Sequence, residues 1–278
     1  MPSGRALRLH RILDPRTERG IVVAFDHGLF LGPVPGVEDV VAAMRRVAEG
    51  GPDALQVSPG AAAAAGAIFH GRGAPALVLR LDASNTWRST APPRAPYRVP
   101  VATPADAVRL GADAVVAFLF TGYAEDREEG ANLQDVGRLA SACRALGLPL
   151  VVEPLAVAPG KHLVNPPEVV ELMARIAWEA GADLLKVDYT GSRETFSRVV
   201  RAAAVPVLVR GGPRTETAAD ALAMVAEALE AGARGVVFGR NVWQHDDPAG
   251  MVRALRRIVH EGAGVGAALR ELAPAGRS

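Results

Sequence analysis

Eight short apolar runs recur along the chain at near-even intervals: Ile21–Phe25, Ala54–Val57, Leu77–Leu81, Ala114–Leu119, Leu150–Glu153, Leu184–Val187, Val207–Val209 and Gly235–Phe238. Each is rich in Val and Leu with little polar alternation, which is how a parallel strand buried on both faces reads. Helical patterns lie between them, among them Val37–Glu49, Asn132–Leu146, Pro167–Glu179 and Thr217–Glu230. Strand and helix alternating eight times predict an α/β fold, a (β/α)8 TIM barrel. A doubly wound open sheet competes, but eight evenly spaced units in 278 residues favour closure.

The punctuation agrees. Strands 2, 4 and 6 are announced by Gly51-Pro52-Asp53, Gly111-Ala112-Asp113 and Gly181-Ala182-Asp183, and strand 8 by Gly232-Ala233-Arg234. Glycine there ends the preceding helix in a left-handed conformation. Strands 3, 5 and 7 are entered through Pro75, Pro149 and Pro206, so odd and even strands carry different entry chemistry. The Pro-rich stretch Asp82–Pro100 reads as a long loop over the catalytic face, not a domain boundary. The whole chain, 1–278, is therefore expected to be one barrel domain, its first ~12 residues a short helix closing the barrel floor.

Composition narrows the class. With 49% hydrophobic residues and 31 basic against 30 acidic side chains, the chain is neither disordered nor an obvious binder of nucleic acid. A single cysteine, Cys143, fits a reducing cytoplasm. No apolar run approaches the ~18 residues of a membrane span, and the charged first 20 residues lack a signal-peptide core.

Barrel active sites collect at the C-terminal ends of the strands. Those ends read Asp26-His27, Ser58, Asp82, Glu153, Lys186-Val187-Asp188-Tyr189, Arg210-Gly211-Gly212 and Gly239-Arg240, with the less decisive Phe118–Thr121 on strand 4. Only two of the 31 basic residues are lysines, Lys161 and Lys186. Where arginine is so favoured, a lysine persists most readily where a neutral amine is required. Lys186 lies inside a run destined for two-sided burial, and desolvation lowers an amine's pKa toward the neutral form that Schiff-base chemistry needs. The plainer reading of Lys186 is a buried ion pair with a neighbouring carboxylate. Lys161, in a polar loop, reads as an exposed or substrate-facing cation. Arg210, Gly211, Gly212, Gly239 and Arg240 form the candidate phosphate site, because glycines let backbone N–H groups approach an anion and arginine adds charge-assisted contacts. Asp26 and His27 suit proton transfer, His27 titrating near neutrality. Tyr189 and Glu153 are further catalytic candidates. Alternation puts Asp188 on the face of Lys186, but the strand ends there and a solvated rim carboxylate is the simpler reading.

Taken together, these residues resemble the class I aldolase family of archaeal fructose-bisphosphate aldolases and 2-amino-3,7-dideoxy-D-threo-hept-6-ulosonate synthases, with a related thiolase acting on 3-hydroxy-5-phosphonooxypentane-2,4-dione. The resemblance runs from Arg11-Ile12-Leu13, Asp26-His27-Gly28 and Gly32-Pro33, through Gly111-Ala112-Asp113-Ala114-Val115 and Lys186-Val187-Asp188-Tyr189-Thr190-Gly191. It ends in Arg210-Gly211-Gly212 and Gly239-Arg240-Asn241-Val242-Trp243-Gln244. It implies Lys186 as the Schiff-base lysine, Asp26 as the strand-1 acid, and the strand-7 and strand-8 glycines with Arg240 as phosphate binders. It further implies a phosphorylated small-molecule substrate, no cofactor or metal, no nucleic-acid or membrane partner, and a homo-oligomer, pentamer or decamer. One departure stands out. The family's strand-5 tyrosine, in a Tyr-Pro-Arg-Gly-like context, is absent from Glu153-Pro154-Leu155-Ala156-Val157-Ala158-Pro159-Gly160. Either Glu153, His27 or Tyr189 takes its role, or the reaction differs, as in the thiolase. A barrel that binds a phosphorylated metabolite without catalysis is the reading from another class.

Overall fold

In the computed structural model, residues 3–87, 97–123, 125–158 and 161–272 are described. Eight parallel strands close on themselves: β1 Gly20–Ala24, β2 Ala54–Val57, β3 Ala76–Arg80, β4 Ala114–Thr121, β5 Leu150–Ala158, β6 Leu184–Asp188, β7 Val207–Arg210 and β8 Gly235–Phe238. Each pairs with the next, and β8 returns to β1 with Val22 opposite Val237. This is the barrel that the spacing of the apolar runs predicts.

Helix α1, Gly4–Ile12, precedes the barrel. The crossover helices are α2 Val40–Ala48, α3 Pro59–Ala64, α4 Pro104–Arg109, α5 Asp126–Leu146, α6 Pro167–Glu179, α7 Arg193–Ala202 and α8 Ala218–Glu230, and α9 Pro248–Val259 follows β8. Thr217 caps α8 in a reciprocal box with Asp220, as Thr103 caps α4 with Asp106. α5 starts six residues before the expected Asn132, because Asp126, Glu128 and Glu129 complement the positive end of its first turn. β5 continues past Glu153 and folds back on the short strand Lys161–Val164, where a loop was expected. The side chain of Lys161 lies outside the described residues.

The odd–even difference in strand entry has a physical cause. Gly51, Gly111, Gly181 and Gly232 all adopt positive φ, as helix-ending glycines do. After the first three of these glycines, the aspartate two residues on clamps one of the first two residues of the preceding odd strand at two points. The carboxylates of Asp53, Asp113 and Asp183 accept from the N–H groups of Ile21, Leu77 and Leu150 at 2.8, 3.0 and 3.0 Å. Their own N–H groups donate back to the carbonyls of the same three residues. α1 docks across this floor, Arg5 on Asp183 at 2.8 Å and Arg11 on Asp113 at 3.1 Å, while Ile12 and Leu13 plug the barrel from below.

Alternation along the strands sorts the layers. Inward toward the floor lie Val22, Ala54, Val78, Val116, Val151, Leu184, Leu208 and Val237, one apolar cluster. The next inward positions toward the mouth are Gln56, Arg80, Phe118, Glu153, Lys186 and Arg210. Outward residues of the same strands pack under the helices in a second, larger core. A third cluster, around Phe30, Phe118 and Phe120, sits at the mouth. The Pro-rich stretch after β3 begins and ends there: Asp82, Ala83 and Ser84 pair with Pro100, Val99 and Arg98, while residues 88–96 lie outside the described residues.

Candidate active site

The mouth holds a cavity of about 160 Å³. Asp26, His27, Glu153, Lys186, Arg210, Gly211, Gly212, Gly239 and Arg240 all line it. Tyr189 does not. Three residues past Lys186, it falls on the outward face, where its ring packs on Phe196 and its hydroxyl donates to Glu227 of α8 at 2.6 Å. The expectation that Tyr189 serves the chemistry is corrected by that alternation.

Lys186, 5% exposed, donates from Nζ to Oε2 of Glu153 at 3.0 Å. The buried ion pair and the reactive amine are thus the same arrangement. Burial is the leading influence on Lys186 and favours its neutral form; Glu153 and Asp26 oppose it, while Arg80 and Arg210 reinforce it, and its pKa falls below the ordinary amine value. Burial would neutralise Glu153, but Lys186, Arg80 and Arg210 together outweigh that and hold its carboxyl below the usual range.

One residue organises this cluster, and the sequence reading passed over it. Arg80, 1% exposed, donates to Asp26 at 2.7 Å, to Glu153 at 2.6 Å and to Asp82 at 3.3 Å, and its guanidinium carbon lies 3.9 Å over the Phe118 ring. The signal was present: Arg80 interrupts an apolar run as Lys186 does. Gln56, also unremarked, donates to Asp26 at 2.7 Å. Burial works against the Asp26 charge, but Arg80 and Lys186 carry its pKa down to about 2. Arg98 closes the outer side of the cluster through Asp82 at 2.6 Å. Asp188, read as a rim carboxylate, instead holds Arg210 bidentately at 2.5 and 2.6 Å. Arg210 also reaches Glu153 at 3.6 Å.

His27 sits differently from expectation. Burial, only partly countered by Asp26, pushes its pKa down to about 4, so the ring is neutral at pH 7 and does not titrate there. It packs against Gly239, where a Cβ would meet the ring at 2.5 Å, and edge-on to Trp243. At Gly211 a Cβ would strike the Phe238 ring at 2.7 Å, so both glycine loops are held close to the barrel. Asn241, missed as a site residue, staples them by donating to the Gly211 carbonyl at 2.9 Å and the Pro213 carbonyl at 3.2 Å. Arg240 donates to the Gly212 carbonyl at 2.9 Å; its Nε is buried without a partner, and no carboxylate among the described residues pairs with it. Among the described residues no group of three or more His, Cys, Asp or Glu is arranged to hold a metal ion, and no helix is long and apolar enough to cross a membrane.

Residues 21–245 match the DeoC/LacD family of aldolases. The chain belongs to that family. An uncharacterised aldolase of Saccharolobus solfataricus is 41% identical over 271 residues, covering 97% of this chain and 99% of that one. A class 1 fructose-bisphosphate aldolase of Thermoproteus tenax is 36% identical over 255 residues, 89% and 92% of the two chains. A 2-amino-3,7-dideoxy-D-threo-hept-6-ulosonate synthase of Halobacterium salinarum is 35% identical, covering 96% of each. Among solved structures, an archaeal fructose 1,6-bisphosphate aldolase superposes with a TM-score of 0.80 at 34% identity, covering 93% of this chain and 100% of that one. Another, with its catalytic lysine covalently bound to the carbinolamine intermediate of its substrate, gives 0.80 at 33% identity, covering 92% and 99%. The chain is a class I aldolase, a lyase, on a (β/α)8 barrel.

Proposed function

We propose that this aldolase forms its Schiff base through Lys186 with a phosphorylated ketose or related carbonyl compound, and makes or breaks a carbon–carbon bond beside it. The observation that carries the reading is the buried Lys186–Glu153 pair at 3.0 Å, at the mouth end of an otherwise apolar strand. Glu153 first takes the proton of the ammonium, leaving a neutral amine to attack the carbonyl carbon. The protonated Glu153 returns that proton to the carbinolamine oxygen; water leaves and an iminium remains, its positive charge facing Glu153 and Asp26. The iminium draws the electron pair of the cleaving bond into an enamine once a base removes the proton of the hydroxyl beyond it. Glu153, ionised again and hydrogen-bonded to Lys186 in the free site, is the base for that step.

Glu153 stands in the strand-5 stretch from which the expected tyrosine is absent and can carry protons in its place, so the departure needs no change of reaction. A turnover that required coenzyme A would favour the thiolase. The phosphate is assigned to Gly211, Gly212, Gly239 and Arg240, which line the cavity, Arg240 with no carboxylate partner among the described residues. Arg240→Ala should raise KM for a phosphorylated substrate about ten- to a hundredfold more than for its unphosphorylated analogue. Equal effects on both would place the phosphate elsewhere. Lys186→Arg tests the nucleophile: the fold should persist by circular dichroism while turnover disappears, because a guanidinium cannot form an iminium. Retained turnover would refute the assignment.

A further inference from the structure

Arg210 lines the cavity, and only part of its guanidinium is engaged. Nε and Nη2 donate to the two oxygens of Asp188 at 2.5 and 2.6 Å, a fork that fixes the plane of the group. The remaining nitrogen, Nη1, faces Oε1 of Glu153 at 3.6 Å, beyond hydrogen-bond distance. Among the described residues the buried side-chain nitrogens without partners are His27 Nδ1, Arg240 Nε and Arg257 Nε, so Nη1 of Arg210 is not sealed off. Three cations surround Glu153: Lys186 and Arg80 on Oε2 and Arg210 on Oε1. Lys186 is the nucleophile. Arg80 is committed through all three of its nitrogens, to Asp26, Asp82 and Glu153. Of the three, Arg210 brings the unbonded N–H edge to this carboxylate.

We propose that Arg210 is a catalytic residue, whose Nη1 hydrogen-bonds the substrate oxygen while Lys186 turns the carbonyl into the iminium. Asp188, which does not line the cavity, is the positioning residue that aims it. The inference rests on the Schiff-base reading above and adds the donor for the displaced oxygen. Nζ bonds to the carbonyl carbon, and the C=O π pair moves to oxygen, which becomes an alkoxide. That oxygen must touch Glu153 to receive its proton, which brings it beside Nη1. Glu153 delivers to it, in turn, two of the three protons of the Lys186 ammonium. The nitrogen lone pair then forms the C=N bond as water leaves, and the third proton stays on the iminium nitrogen. A donor fixed in place beforehand stabilises the alkoxide without having to reorient during the reaction.

The test times adduct formation in the full chain. Dihydroxyacetone phosphate or unphosphorylated dihydroxyacetone is added, aliquots are quenched with borohydride, and intact mass gives the fraction reduced. Rates are compared on their alkaline plateau, because Glu153, Asp26, Arg80 and Arg210 all bear on the charge of Lys186, and loss of Arg210 moves its deprotonation to higher pH. Arg210→Met should lower the limiting rate about a hundredfold with both ketones and leave half-saturation within about twofold. Arg210→Lys, which keeps a donor but not the fork on Asp188, should recover part of that loss. Asp188→Asn should lower the limiting rate about tenfold. These two variants carry the test if Arg210→Met does not fold. A rise in half-saturation confined to dihydroxyacetone phosphate would make Arg210 a phosphate ligand and overturn the inference. So would an unchanged limiting rate, or a loss that disappears on the plateau, which would leave Arg210 acting on the charge of Lys186 alone. No adduct with the unaltered chain would overturn the Schiff-base reading and the role of Arg210 with it.

Discussion

Glu153 takes Arg80 and Lys186 on one oxygen and faces Arg210 with the other. Glu153→Gln keeps the shape of this contact but removes the proton carrier, so kcat should fall by roughly 10²–10⁴. The same substitution removes a charge that holds the Lys186 amine up. Lys186 is active when neutral, so the acidic limb of kcat/KM should move to lower pH; a move to higher pH would contradict the arrangement. Arg80→Met leaves three buried carboxylates short of a partner and should cost about 3–5 kcal/mol in urea unfolding, with Arg80→Lys milder. An Arg80→Met variant as stable as the parent would mean that the cluster is held by something else. Lys186 was legible because a charge inside a run bound for burial needs a reason, and the same logic reaches Arg80. Which carboxylate pairs with which cation was not legible, since Asp26, Arg80, Glu153 and Lys186 come from four separate segments and meet only on closure. The position of Tyr189 was legible in principle, because odd and even residues of β6 face opposite ways.

At the scale of elements, the barrel was readable from the spacing of its apolar runs, and the glycine–aspartate entries carried more than they first showed. Each aspartate both immediately precedes an even strand and clamps the odd strand before it. Asp113→Ala leaves the Leu77 N–H without its acceptor and frees Arg11, which should cost about 1–3 kcal/mol in denaturant unfolding. Arg5→Ala, removing a half-exposed ion pair to Asp183, should cost less than about 1 kcal/mol. The reverse order would mean that α1, not the clamp, fastens the floor. What the sequence hid at this scale was the extension of β5 past Glu153, because Pro154 reads as a strand end. In the barrel Pro154 sits opposite Leu119 within the β4–β5 pairing and the strand runs on.

For the whole molecule, the buried charges set how stability responds to acid. The folded chain holds His27 at about 4, below its ordinary 6.5, so the unfolded chain takes up that proton first. Stability should therefore decline as pH falls from about 6.5 toward 4, and His27→Gln should flatten that segment in urea titrations. Asp26, held at about 2 against 3.8, adds its own loss only below about pH 4. The central claim is the covalent use of Lys186, and intact mass reads it most directly. Borohydride added to the chain with dihydroxyacetone phosphate should raise the mass by one reduced adduct, mapped by peptide digestion to Lys186. The shift should vanish in Lys186→Arg and survive in Lys161→Arg. An adduct on Lys161, or none on either lysine while turnover continues, would contradict the account.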